Sequence, residues 1–533
     1  MKSARVIHPF LFAIYPMLVI VSLNLWQITL WEVVRLFFCI FLFCCVLFLL
    51  FQVRYKNWQR AGFLTSITLI LVLYVDYSAY IQEKIGFAGI FVDRYLIIYI
   101  FWGLVLMFAN SRLLWGRIRP SIITRYFNVT AFLLILVFSF KLWPLVNSYV
   151  KDPLRGWYPS ENSDILTFDL NKDALPDIYY IIVDGYARTD VLNEIYNYDN
   201  SDFIDYLKNK NFYLAEQSQS NYIQTSLSLS SSLNYEYLKS LEFAANKSLN
   251  RDPLRKLIQH SKVRAILETA GYEIITLKSG YYITEIKDAD LYLSQYSLNI
   301  SNLETLFIDT TGFHIVFDSL NLSSSLLDFE VHRNRILYEF EQLGKISGYN
   351  SENPKFIFAH IVLPHPPFVF DQNGDLPKAS GPFLFADGTD YRGTTQEYIH
   401  GYVEQLIFTN QMLEKTIDSI LLQSETPPII ILQSDHGPGA YLDWVGGSQN
   451  SCLKERFSIL NAYYLPGEAM QNLYPSITPV NTFRIIFNST FGTEFPNLPD
   501  LNYFSTWGNP YRFENVTSQS QLKCIDKGVQ LND

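Results

Sequence analysis

Acidic residues are nearly missing from the first 147 positions of this 533-residue chain: four Asp+Glu stand there against 13 Lys+Arg, and 47 acids follow. The first part carries about +9 and the remainder about −19. So acidic a remainder excludes nucleic acid as a partner, because nucleic acid is held mainly by neutralising its phosphates. Cysteine is scarce too, with five residues. Cys39, Cys44 and Cys45 lie in one apolar run and read as packing residues. Only Cys452 and Cys524 remain, and an oxidising compartment would let them pair. Whether they come close enough is open from sequence alone. No small-residue cleavage site follows the first apolar run, which argues for a retained helix over a removed leader. No repeat of fixed period is present, which excludes a solenoid.

What the first part has is apolar length. Five runs, Ile7 to Leu25, Val33 to Val53, Phe63 to Ile81, Tyr95 to Asn110 and Phe127 to Val146, come close to the roughly 20 residues that cross a bilayer as a helix. Lys2 and Arg5, then Arg54, Lys56 and Arg60, then Arg112, Arg117, Arg119 and Arg125 fall on one side of these runs. The opposite loops offer little beyond Lys84, so the basic side is expected to be cytoplasmic. Five crossings put everything after residue 147 outside. Asp76 and Lys141 fall within the runs, either as functional groups or as snorkelling ones.

Residues 148–175, with KDPLRGWYPSENSD, read as a linker. From Pro176 the pattern changes. Strand candidates at Tyr179 to Val183, Glu273 to Leu277, Lys355 to Ile361 and Ile429 to Gln433 alternate with helical patterns at Asp202 to Lys208, Pro253 to Ala270, Leu326 to Leu343 and Glu397 to Leu422. The expected architecture is a five-helix transmembrane bundle (1–147) followed by an α/β domain (176–533) with a mostly parallel sheet.

Two segments share one build. PDIYYIIVDG (Pro176 to Gly185) and PPIIILQSDHG (Pro427 to Gly437) each run a buried-strand pattern into acidic or imidazole side chains. Open α/β sheets place their sites at such carboxyl ends. Asp184, Asp435 and His436 therefore read as ligands for one divalent cation of the Zn or Mn type. A nucleophile is sought in Ser220 to Asn234, SNYIQTSLSLSSSLN. A hydroxyl there needs a base or a metal to activate it, and a helix N-terminus would favour an anion beside it. The plain alternative is a capping or loop segment.

PDIYYIIVDGYARTD, NYIQTSLSLSSSLN, FAHIVLPHPPF and SDHG, in that order, resemble the sulfatase-like branch of the alkaline phosphatase superfamily. The five spans narrow the resemblance to membrane lipoteichoic acid synthases and lipid A phosphoethanolamine transferases. The resemblance implies a metal held by Asp184, Thr225, Asp435 and His436, with Asp184 where the transferases usually have Glu. It implies Thr225 as a nucleophile carrying a covalent phospho-intermediate, and His365 as the group contacting the substrate phosphate or leaving group. His360, which begins the same motif, is either a group standing behind the metal ligands or a buried strand histidine, the second reading being preferred. Arg188 and Arg456 are further candidates for substrate binding, against ordinary surface or packing roles.

Neither Cys452 (CLKER) nor Cys524 (CIDKG) fits the C/S-x-P-x-R motif of formylglycine sulfatases, which argues against that chemistry. No histidine follows His436, and this favours one metal over two. The expected function is transfer of a phosphoethanolamine or phosphoglycerol group from a phospholipid donor to an envelope glycan or lipid acceptor. The alternatives are a membrane-bound phospho- or sulfo-ester hydrolase and a non-catalytic partner in envelope biogenesis.

Overall fold

The computed structural model describes residues 4–23, 30–74, 94–111, 119–152, 154, 175–245, 248–295, 302–314, 324–349, 351–377, 383–522 and 524. Nearly all of the 148–175 linker, and Asp76, lie outside the described residues. The chain divides into two compact units, Met1–Lys151 with Leu298–Asp328, and Asp152–Ser297 with Phe329–Asp533.

The first unit contains helices α1 (His8–Leu23), α2 (Leu30–Tyr55), α3 (Trp58–Leu73), α4 (Arg94–Asn110) and α5 (Pro120–Val150). Each overlaps an apolar run expected to cross the bilayer. Two stretches, Trp31–Tyr55 and Pro120–Trp143, are long and apolar enough to cross a membrane, whereas His8–Ser22, Trp58–Leu73 and Phe101–Asn110 are shorter apolar helices. On α2, Phe38, Leu42 and Val53 are 64%, 65% and 76% exposed, an arrangement suited to lipid and not to water.

This unit also takes in the helix Asn302–Asp309, which the sequence places far beyond the apolar runs. Its Leu303 and Phe307 bury against Ala13, Met17, Leu36, Ile40 and Leu69. Glu304 forms a two-pronged ion pair with Arg35, near the start of α2. Gly312 N–H donates to Val72 O at 2.6 Å, at the end of α3.

The second unit is built on a seven-stranded sheet: β1 (Ile178–Val183), β2 (Tyr213–Leu214), β3 (Glu273–Leu277), β4 (Leu291–Leu293), β5 (Lys355–Ile361), β6 (Ile429–Gln433) and β7 (Asn461–Tyr464). Their order is β2-β7-β6-β1-β5-β3-β4. From β6 to β4 all neighbours are parallel, and β7 runs antiparallel to β6. The unit is thus an α/β fold with a mostly parallel central sheet.

Strand β1 is the axis, and all six of its residues are buried. Because side chains alternate across a strand, Tyr179, Ile181 and Val183 enter one core, packing with Ile336 and Phe340 of the helix Ser324–Ile346 and Leu406 and Ile417 of Thr395–Gln423. Ile178, Tyr180 and Ile182 enter the other, against Val263, Leu267, Phe483 and Ile486. Burial on both faces is why the strand reads as an unbroken apolar run. The helical stretch Pro253 to Ala270 forms two helices, Asp252–Gln259 and Lys262–Thr269. Ser261 interrupts it by capping the second one, accepting from Arg264 N–H.

Candidate active site

The sheet order brings three carboxyl ends together. Strand β1 lies between β5 and β6, with Val183 paired to Ile361 and Ile182 to Gln433. Asp184 follows β1, His360 stands near the end of β5, and Asp435 and His436 follow β6. Both glycines after these acids have physical reasons. Gly185 has φ +74°, a region that only glycine enters freely. A Cβ on Gly437 would lie 2.0 Å from the Glu455 carbonyl oxygen.

Thr225 opens the helix Thr225–Ser232, whose residues are all buried. Several hydroxyls of the cluster are structural: Ser230 donates to Ser226 O at 2.6 Å, Ser231 to Glu236 O at 2.7 Å, and Ser232 accepts from Tyr180. Thr225 differs, with its Oγ1 3.2 Å from His436 Nε2. His436 Nδ1 lies 2.9 Å from Gly437 O. An Nδ1–H donated to that carbonyl leaves the Nε2 lone pair facing the site. There it also meets Asp184 Oδ1 at 3.6 Å and Asp435 Oδ2 at 3.4 Å.

Two sets of side chains offer ligand atoms within 4.8 Å of one another, Asp184 with His365 and His436, and Asp184 with His360 and Asp435; all five residues are buried. Asp184 Oδ1 and Asp435 Oδ2 are buried without a hydrogen-bond partner. Buried carboxylate oxygens left bare are costly, and a cation among them would satisfy both. This donor set of carboxylates and imidazoles fits Zn or Mn.

Electrostatics agree with a cluster kept in its ligating forms. Burial by itself would raise the Asp184 carboxyl, but His365, His360 and His436 outweigh it and hold that group well below the usual range. Burial, and next Arg456, lower the His436 imidazole, which favours the neutral ring.

The remaining candidates occupy distinct settings. His365 follows β5, its Nδ1 2.6 Å from Pro366 O and its Nε2 3.7 Å from Asp387 Oδ2. Arg456 is buried and ion-paired with Asp387; its Nη2 lies 3.3 Å from His436 Nε2 and donates to Ile223 O at 2.8 Å. Arg188 turns its fork to Asp190 at 2.6 and 2.9 Å and donates to Ser218 O. His360 is buried and lies 3.2 Å from Asp184 Oδ2. Asp387, which sequence reasoning missed, links Arg456, His365 and Tyr398. Its segment FADGTD adjoins no strand, so no local pattern singles it out.

The family described as Sulfatase matches residues 176–492. Among solved structures, the C-terminal periplasmic domain of EptC from Escherichia coli, in complex with Zn, aligns with TM-score 0.41 and 11% identity, covering 65% of this chain and 93% of that one. The integral membrane lipooligosaccharide phosphoethanolamine transferase A from Neisseria meningitidis aligns with TM-score 0.41 and 12% identity, covering 91% and 95%. No curated protein matches this chain.

Proposed function

This chain belongs to the sulfatase family of enzymes, and from that premise we propose that it moves a phosphoethanolamine- or phosphoglycerol-type group from a membrane phospholipid to an envelope glycan or lipid through Thr225. The observation that carries this reading is the Thr225 hydroxyl, placed at a helix N-terminus and 3.2 Å from His436 Nε2 within a buried Asp/His cluster.

Asp184, Thr225, Asp435 and His436 would hold one divalent cation of the Zn or Mn type. When bound, such a cation lowers a hydroxyl pKa and neutralises charge on a transferring group. Thr225 Oγ1 loses its proton to solvent and forms a bond to phosphorus as the bond to the donor's oxygen breaks. His365 protonates that departing oxygen. An acceptor hydroxyl then displaces Thr225, which regains its proton. The N-terminus of Thr225–Ser232 favours the negative charge beside it.

In this reading residues 1–147 form a five-helix transmembrane domain, 148–175 a linker and 176–533 the catalytic domain. The N-terminus is cytoplasmic in an inner membrane, and the catalytic domain periplasmic or extracellular. The basic loops support that topology. The Cys452–Cys524 disulfide supports an oxidising compartment.

Mass spectrometry of the full-length protein turned over with phospholipid tests the intermediate. A phospho-adduct on Thr225 is expected, missing in Thr225→Ala, and its mass identifies the group moved. Headgroup-labelled phospholipid separates transfer from hydrolysis. Label on an acceptor supports transfer, and label released only as a small anion shifts the assignment to a hydrolase.

A further inference from the structure

The arginines of the α/β unit differ in what neutralises them. Arg188 and Arg456 have carboxylate partners in Asp190 and Asp387. Arg251 does not, for among the described residues no carboxylate lies within ion-pair distance of it, and neighbouring Asp252 is engaged by Arg255 and Lys256.

Yet Arg251 is only 7% exposed. Its Nη2 donates to Gln224 Oε1 at 3.1 Å and to Trp507 O at 2.8 Å, and its guanidinium lies 3.9 Å from the Trp507 ring centre. Its Nε is buried with no acceptor. A buried cation without a counter-charge is costly, and an N–H without an acceptor adds to that cost. Stacking on an indole offsets part of the charge but gives Nε no acceptor. The position is telling, since Gln224 immediately precedes Thr225 and also donates to Ser505 O at 3.1 Å and Thr506 O at 3.2 Å. Trp507 remains 37% exposed, so the group stacked on it lies close to solvent.

We propose that Arg251 recognises a second, non-reacting phosphate-class anion of the substrate, held between Gln224 and the Trp507 segment beside the nucleophile. With both Nη2 hydrogens engaged, the anion is met by the remaining Nε–H, a donor fixed in a rigid charged plane that a lysine does not reproduce. The proposal deepens the transfer reading and rests on it for the substrate. Binding of the anion itself does not depend on turnover.

Calorimetric titration of the full-length protein with inorganic phosphate tests it, and glycerol phosphate in a parallel arm distinguishes a headgroup ester from the free anion. The Arg251→Gln protein is expected to bind one equivalent fewer per chain than the parent. Arg251→Lys should retain that equivalent with about tenfold weaker affinity. Equal stoichiometry and affinity in parent and Arg251→Gln overturn the proposal, as does a change in melting temperature with phosphate binding untouched, the outcome of a purely structural clamp. A readout free of Arg251 substitutions is tryptophan emission: phosphate should shift it in the parent and not in Trp507→Phe, and no shift in the parent also overturns the proposal. A phosphate effect at Arg251 without any adduct on Thr225 would refute the transfer reading and leave this one standing.

Discussion

His360 Nε2 lies 3.2 Å from Asp184 Oδ2 while its Nδ1 faces Thr284 Oγ1 at 2.9 Å, so one imidazole bridges the β1 strand end and a buried row of hydroxyls. Thr284 in turn meets Ser279 Oγ at 2.9 Å. That row fixes the ring, and the ring fixes the carboxylate. Groups that orient a metal ligand in this way typically change metal affinity about 10–100-fold when removed. His360→Ala should therefore weaken divalent-metal binding by that factor, and His360→Gln by less, measured by titration with a competing chelator. Unchanged affinity in His360→Ala would refute the role.

Glu455 supplies a pH dependence. It is fully buried, accepting from Tyr196 OH at 2.6 Å and Tyr441 N–H at 2.9 Å. Burial raises its carboxyl from 4.5 to about 8, the two hydrogen bonds and Arg456 opposing and Asp387 adding to the rise. A group whose folded pKa exceeds its unfolded one adds stability that is complete below the unfolded value and is lost as pH rises through the folded value. Between pH 5 and 8, then, the parent protein should lose up to ~1.4 kcal/mol per pH unit relative to Glu455→Gln, which has no such proton to release. Denaturant melts at three pH values read this directly, and parallel slopes would contradict it.

The two arginine pairs should respond very differently to loss of their acids. Arg456 and Asp387 are both nearly fully buried, so Asp387→Asn strands a cation in the interior at a cost of about 3–5 kcal/mol. Asp190 is 36% exposed beside Arg188, and water takes over much of its work; Asp190→Asn should cost under ~1 kcal/mol. Urea denaturation of both variants checks the ranking, and similar losses would show that burial is not the controlling variable.

Cys452 and Cys524 are disulfide-bonded across 72 residues of sequence. Closing a loop of that length restricts the unfolded chain by about 4 kcal/mol on the chain-entropy account. Cys452→Ser should lower stability by that order, and added reductant should do the same to the parent but nothing further to the variant.

Much of the fold could be read from the chain because β1, β5 and β6 are buried on both faces, which writes them as continuous apolar runs. Asp184, Asp435 and His436 were legible because each follows such a run and precedes a glycine the backbone requires. The pairing of Cys452 with Cys524 was not, since proximity is a property of the folded chain. Asp387 and Arg251 are not legible for another reason: each stands outside a strand or helix and is held by residues remote in sequence, so no spacing marks them. Arg188 and Arg456 stood out only through nearness to a motif, and nearness does not say which carboxylate holds each one. The helix Asn302–Asp309 was overlooked because its few apolar residues look like any amphipathic turn. Its partners are helices some 230 or more residues earlier in the sequence.

That helix bears on how the enzyme can be handled. A fragment beginning at Pro176 would carry Leu303, Phe307 and Phe313 without α1, α2 and α3 to cover them. It would present a greasy arm to water, with Glu304 parted from Arg35. Such a fragment would be prone to self-association for reasons unrelated to its catalytic fold, and trimming the arm, not adding detergent, would be the physical remedy.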